Sequence, residues 1–278
     1  MGLFGKYFEK ISKPSGRSSI FYSHRLVTFA GPSKLRYLSK VYSKMMEAAL
    51  SFGGDIYLSD GIFAWGRVIG WIRDKKLLES IAIADPSDQN GGVDSAIAWR
   101  THVACWASSQ ACKAKGDFFE FGCYEGYTGA AIRSFLGNDF KKVDKRNYFW
   151  LDMFAAGKGG NQKTLTLDQS KSEIKALARA ENFDDVLVVQ GNVLSTYIED
   201  HKLSSRKIAF AHFDLNDFET EMKILEKAVQ NTSSGSVFLF DDFAMLPFRE
   251  QNKKYRNFFR EKGLEILELP TGQGLVIF

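Results

Sequence analysis

The chain has 278 residues, 45% hydrophobic and 25% charged, which suffices for one large domain or for one domain with a helical extension. Its formal charge of +4 sets 37 basic residues among 33 acidic ones, a balance that gives no reason to expect nucleic acid or an acidic membrane as partner. Three cysteines, Cys105, Cys112 and Cys123, without metal-type spacing argue against a disulfide framework and for reduced thiols in a cytoplasmic protein.

The N-terminal stretch to Pro32 mixes Ser, Gly, Pro, Arg and aromatics without a period and reads as a partly ordered arm. It has no apolar h-region with a cleavage site, Lys6 breaks the myristoylation pattern, and no later run reaches the roughly 20 apolar residues of a membrane span. Leu35, Leu38, Val41, Tyr42, Met45, Met46 and Ala49 recur at helical steps and predict a helix over 34–50. A second helix is expected after Asp60 as N-cap, with Ile62, Trp65, Ile69 and Ile72 on one face, running towards Ala84 and stopping before Pro86. The turn formers from Asp85 to Gly92 mark the joint between an N-terminal arm and helical lid, residues 1–92, and a main domain, residues 93–278. Asp94 is the expected cap of a third helix carrying Trp99, Val103 and Trp106. Together with Trp65 and Trp71, these tryptophans pack the lid against the domain or against another subunit of a homo-oligomer.

From there the pattern changes. Phe118–Phe121, Tyr148–Leu151, Val186–Val189, Ile208–Phe213 and Val237–Phe240 read as strands separated by helix-length segments, the signature of a parallel sheet covered on both faces. Leu264–Leu269 and Gly274–Phe278 are joined by four residues, too few for a crossover, and must pair antiparallel. The fold class is therefore α/β: a Rossmann-like, seven-stranded, mostly parallel sheet ending in an antiparallel hairpin, with an N-terminal helical extension.

The strongest local signal runs from Asp117 to Gly129, a strand leading into a glycine-bearing turn and a helix. Gly122 and Gly126 allow a tight turn and close approach of a ligand to the backbone at the helix N-terminus. Tyr124 stands where a dinucleotide fingerprint needs its second glycine, which favours S-adenosylmethionine over a nicotinamide cofactor. Glu120 would meet the cofactor's ammonium or its ordered waters, with Cys123 a packed thiol beside it rather than a nucleophile. Asp152, ending the next strand, is placed to take both ribose hydroxyls, or is a turn or cap residue; Asn192 is a weaker candidate for the adenine.

Two further strands also end in acids, Asp214 on one and Asp241 with Asp242 on the next. Three carboxylates at the ligand-binding edge repel unless a cation joins them, so these residues are the expected ligands of a hard divalent cation, and Asp214 is the expected proton acceptor; as caps and turn residues they would need no metal. His212 points to the same face as Asp214 and is either a base or a core histidine. The basic stretch Lys253, Lys254, Arg256 and Arg260, interleaved with aromatics, reads as the solvated face of a helix rather than a nucleic-acid surface.

These residues resemble the macrocin O-methyltransferase (TylF-like) family of class I S-adenosylmethionine-dependent methyltransferases. The resemblance runs from about Asp55 to Phe278 through SDGIFAWGRVIGWIRD, GDFFEFGCYEGYTG, FDLNDFETEMKILEKAV and SSGSVFLFDDF. It implies Mg²⁺-assisted O-methylation of a small hydroxylated acceptor, such as a sugar or secondary metabolite, with Mg²⁺ at Asp214, Asp241 and Asp242. The chain departs from the family at Asn216, which replaces an acid, at Glu125, where a residue such as Arg is usual, and at Met153. Asn216 leaves room for a catalytically silent cofactor-binding protein; an NAD-dependent oxidoreductase is the other alternative, opposed by the glycine spacing and the hairpin.

Overall fold

The computed structural model describes residues 20–22, 40, 41, 43–45, 47, 48, 51, 55–59, 62–85, 97–143, 145–154 and 167–278. Two compact units divide the chain, Met1–Leu78 with Ser87–Trp99, and Glu79–Pro86 with Arg100–Phe278. The joint at 86–92, the boundary at residue 92, Asp60 and Asp94 lie outside the described residues. No helix among the described residues is long and apolar enough to cross a membrane.

In the first unit, strands β1 (Ile20–Tyr22), β2 (Asp55–Ser59) and β3 (Ile62–Arg67) form a sheet in that order, β1 parallel and β3 antiparallel to β2. The helix expected from residue 62 is therefore corrected at its start. Ile62, Phe63 and Trp65 are strand formers, and Ser59 pairs with Ile62 across only two intervening residues, so hairpin pairing outweighs the helical spacing. A single 3-10 turn, Gly70–Arg73, follows the strand, and α-helix begins at α1 (Lys75–Ala84), capped by Asp74, whose Oδ1 accepts from the Leu77 amide at 3.2 Å. The described residues between 40 and 51 are helical, in agreement with the first helix predicted. The buried Asp55 carboxylate holds this unit together locally, accepting from the Ile69 amide at 2.7 Å and from Arg73. Tyr57, Trp71 and Trp99 meet edge to face, while Trp65 is about half exposed.

The second unit is built on a seven-stranded sheet of β4 (Asp117–Phe121), β5 (Tyr148–Asp152), β6 (Val186–Gln190), β7 (Ile208–Phe213), β8 (Val237–Phe240), β9 (Leu267–Glu268) and β10 (Gly274–Ile277). The strand order is β6-β5-β4-β7-β8-β10-β9; the first five are parallel, and β10 runs antiparallel to both β8 and β9. All seven predicted strands are present. The crossovers are α3 (Tyr127–Leu136), α4 (Leu167–Ala180), α5 (His201–Ser204), α6 (Phe218–Val229) and α7 (Arg249–Arg260), with α2 (Ala98–Ala111) preceding β4. Every residue of β4, β7 and β8 is buried, as strands covered on both faces require. The core beneath is aromatic, with Phe119 stacked on Phe149 and Phe213 stacked on Phe240, while Tyr255 and Phe259 of α7 close it from one side. That anchoring leaves the basic residues of α7 outward, as its amphipathic spacing predicts.

Candidate active site

Strand order reverses between β4 and β7, and in an open α/β sheet the crevice beyond the carboxyl ends at such a point receives ligands. The four strand ends are laced together there. Gly122 donates to Leu151 O at 2.8 Å, Asp214 to Phe121 O at 2.8 Å, and Asp241 to Phe213 O at 2.9 Å, so the glycine turn and both acidic termini leave the sheet along one edge.

The glycine turn follows β4. Gly122 has φ +90°, and a Cβ there would collide with the main chain of Asp214; Cβ atoms at Gly126 and Gly129 would meet the ring of Trp150. These glycines thus make room for the protein's own chain, a packing reason that the sequence does not show. Gly126, at φ +75°, is the N-cap of α3, and no side chain caps that helix. The first turn of α3, the positive end of its dipole, begins at this edge. Cys123 is buried and burial pushes its thiol well up, in keeping with a packed, unreactive sulfur. Glu125, one of the departures from the family, pairs with Lys175 at 2.9 Å and Arg179 at 3.6 Å on α4.

Asp152 ends β5 half-buried. Its Oδ2 accepts from the Tyr124 amide at 2.7 Å and its Oδ1 from the Phe154 amide at 2.6 Å. Both donors are non-glycine residues in the left-handed region, φ +47° and +50°, so one carboxylate pins two strained backbone positions. Burial pushes its carboxyl up, and the two amides pull against that. Tyr124 is 66% exposed at the tip of the turn. Asn192 Oδ1 accepts from the Leu194 amide at 2.9 Å, just ahead of the π-helical turn Leu194–Glu199, so a local turn contact accounts for that oxygen.

A buried chain of charges crosses the middle of the edge. Glu120 pairs in register with His212 and with Trp150, and Asp241 lies two residues beyond Leu239, the register partner of His212; the period of two therefore puts all of these on one face. Glu120 Oε1 lies 3.1 Å from His212 Nδ1, and His212 Nε2 lies 3.8 Å from Asp241 Oδ1. Arg100 Nη1 donates to Asp241 Oδ2 at 2.5 Å, and Gln273 Nε2 to Oδ1 at 3.0 Å. Glu120 is 1% exposed, and its Oε2, like Trp150 Nε1, is buried without a partner in the protein. Burial raises the Glu120 carboxyl against the pull of His212. In His212, burial opposes the charge, but Asp241 and Glu120 outweigh it and lift the pKa to about 10. Burial would raise Asp241 as well, yet Arg100 and His212 hold it below the usual carboxylate range. His212 is thus a core histidine inside an ionic chain. Neither Arg100 nor Gln273 carries a local signal that sequence reading could find.

Beyond β7 and β8, Asp214, Asn216, Asp242, Glu221 and Gln251 line a small pocket closed by aromatics of α6 and α7. Asp214 accepts from Asn216 Nδ2 at 3.2 Å, and burial, reinforced by Asp241, pushes its carboxyl well up. Glu221 is also buried and accepts from the Tyr255 hydroxyl. The expected Mg²⁺ ligands do share this edge, but as arranged they do not fit a metal. Among the described residues no group of three His, Cys, Asp or Glu side chains is placed to hold an ion, and both Asp241 oxygens already face N–H donors. Unit charges about 4 Å apart interact by about 4 kcal/mol at an effective dielectric of about 20, and roughly twice that would oppose a divalent ion on the carboxylate that Arg100 grips.

The parallel sheet with its antiparallel seventh strand, the glycine turn after the first strand and the acidic strand ends define the Rossmann-like class I methyltransferase fold. Two structures of CalS11, described as a TDP-rhamnose 3'-O-methyltransferase of calicheamicin biosynthesis, share it. One is 18% identical at TM-score 0.51, covering 65% of this chain and 79% of that one; the other is 14% identical at TM-score 0.53, covering 74% and 93%. The O-methyltransferase NovP is 17% identical at TM-score 0.51, covering 64% of this chain and 78% of its own. No protein-family model and no curated protein matches the sequence.

Proposed function

We propose that this protein is an S-adenosylmethionine-dependent O-methyltransferase of the macrocin O-methyltransferase (TylF-like) branch, acting in the cytoplasm on a hydroxyl of a small molecule such as a sugar or secondary metabolite. Residues 93–278 form the catalytic domain and residues 1–92 its N-terminal extension. The observation that carries the reading is the lacing of the glycine turn, Asp214 and Asp241 onto one edge at the point where strand order reverses. The sugar hydroxyl named for CalS11 agrees with the acceptor class.

The residues present fit the cofactor. The uncapped N-terminus of α3, behind Gly122, Cys123, Tyr124 and Gly126, suits the carboxylate of its amino-acid end. Asp152 keeps a second lone pair on each oxygen for the ribose hydroxyls while still holding Tyr124 and Phe154. The unpartnered Oε2 of Glu120 serves the ammonium through ordered water, and Asn192 borders the adenine. When bound, the cofactor supplies an electrophilic methyl on sulfur. Asp214 would orient the acceptor hydroxyl and take its proton as that oxygen is methylated.

Calorimetric titration with S-adenosylmethionine and with its demethylated product tests the reading. Micromolar binding is expected, and no heat from either ligand would end the cofactor assignment. An Asp152→Asn variant should bind about tenfold more weakly, a loss of about 1.4 kcal/mol.

A further inference from the structure

We infer that this protein works without a divalent cation, because Arg100 is the cation already built onto the carboxylate that a metal would need. Four observations on different elements agree. Arg100, on α2, is 8% exposed and donates to one oxygen of Asp241 at 2.5 Å. Gln273, from the turn before β10, donates to the other at 3.0 Å. His212 flanks the same carboxylate at 3.8 Å and is itself held by Glu120. Asn216 stands where the resemblance implies another acid, and its amide donates to Asp214 at 3.2 Å instead of adding a negative charge.

At this edge, then, a guanidinium sits on one carboxylate and an uncharged amide on the other. A carboxylate bonded by a guanidinium is neutralised locally, and a divalent ion arriving there would meet positive charge where it needs lone pairs. Arg100 is a positioning residue: it acts on the site through Asp241, keeping the acid rigid and its charge offset. Under the methyl-transfer reading, on which only the chemical meaning depends, Asp214 is the acceptor of the hydroxyl proton without help from a metal-lowered pKa.

The test uses the full chain and Mn²⁺ alone, followed by electron paramagnetic resonance, with the demethylated cofactor titrated separately under chelator and under Mg²⁺. The wild type should take up Mn²⁺ no more tightly than Asp214→Asn or Asp241→Asn, within about twofold, and its affinity for the demethylated cofactor should not change when metal is chelated. Arg100→Met should bind Mn²⁺ at least about tenfold more tightly than wild type, whereas Arg100→Lys should not. Stoichiometric uptake by the wild type, about tenfold tighter than in either aspartate variant, would overturn the inference. So would a folded Arg100→Met variant that gains nothing; if that variant fails to fold, the comparison of wild type with Asp214→Asn decides. Absence of cofactor binding would sink the methyl-transfer reading and leave the Mn²⁺ result intact.

Discussion

The two halves of the ligand-binding edge solve one problem in different ways. On the β4–β5 side, Asp152 is satisfied by backbone amides of Tyr124 and Phe154, groups that any segment can offer. On the β7–β8 side, Asp241 is satisfied by Arg100, 141 positions away in sequence, and by Gln273 and the Glu120–His212 pair. Partial charges hold the first side and full charges the second. A dipole that loses its partner can turn to water; a buried ion that loses its partner cannot, so the second half is the more brittle.

That contrast is broken most sharply by Asp241→Ala. It takes from buried Arg100 the carboxylate it grips and leaves His212 with Glu120 alone, and should cost about 3–5 kcal/mol in urea unfolding. Next comes Glu221, whose carboxyl burial lifts from 4.5 to about 7 despite the Tyr255 hydroxyl. A folded pKa above the unfolded one means stability fully present below pH 4.5 and lost as the pH rises to about 7. Stability curves of wild type and Glu221→Gln should therefore diverge across that window by about 3 kcal/mol, at about 1.36 kcal/mol per pKa unit, with the variant flatter. On the backbone-held side, Asp152→Ala removes two hydrogen bonds from a half-buried carboxylate and should cost about 2 kcal/mol by the same measurement. The smallest effect has the opposite sign. Tyr124→Gly relieves a left-handed backbone but adds freedom to the unfolded chain, for a net gain of about 0.5 kcal/mol in thermal unfolding. Equal losses for Asp241→Ala and Asp152→Ala would show that the two halves do not differ as described.

Much of this edge was legible in the residues. Near-continuous apolar runs at Phe118–Phe121 and Ile208–Phe213, separated by helix-length segments, read as buried parallel strands and are, and the short link at Pro270–Gln273 allowed only an antiparallel return. At Ile62–Arg67 the same method failed, because a helical spacing of apolar residues and a strand of β-formers beside a short turn are locally degenerate. Pairing with Asp55–Ser59 removed the degeneracy, and pairing is not a local property. The glycines were found for a reason that the fold revises: Gly122 is needed by the main chain of Asp214, and Gly126 and Gly129 by Trp150.

By itself, then, the sequence determined what repeats along the second unit, namely strand, turn and helix in the order of its seven-stranded sheet, with acids at the strand ends. Those properties follow from backbone periodicity and from where apolar side chains must go. Only the tertiary structure decided what faces those acids, because a counter-ion is chosen by proximity in space and carries no mark in the sequence around it. Arg100 reaches Asp241 across 141 positions, and that contact turns an expected metal ligand into half of an ion pair.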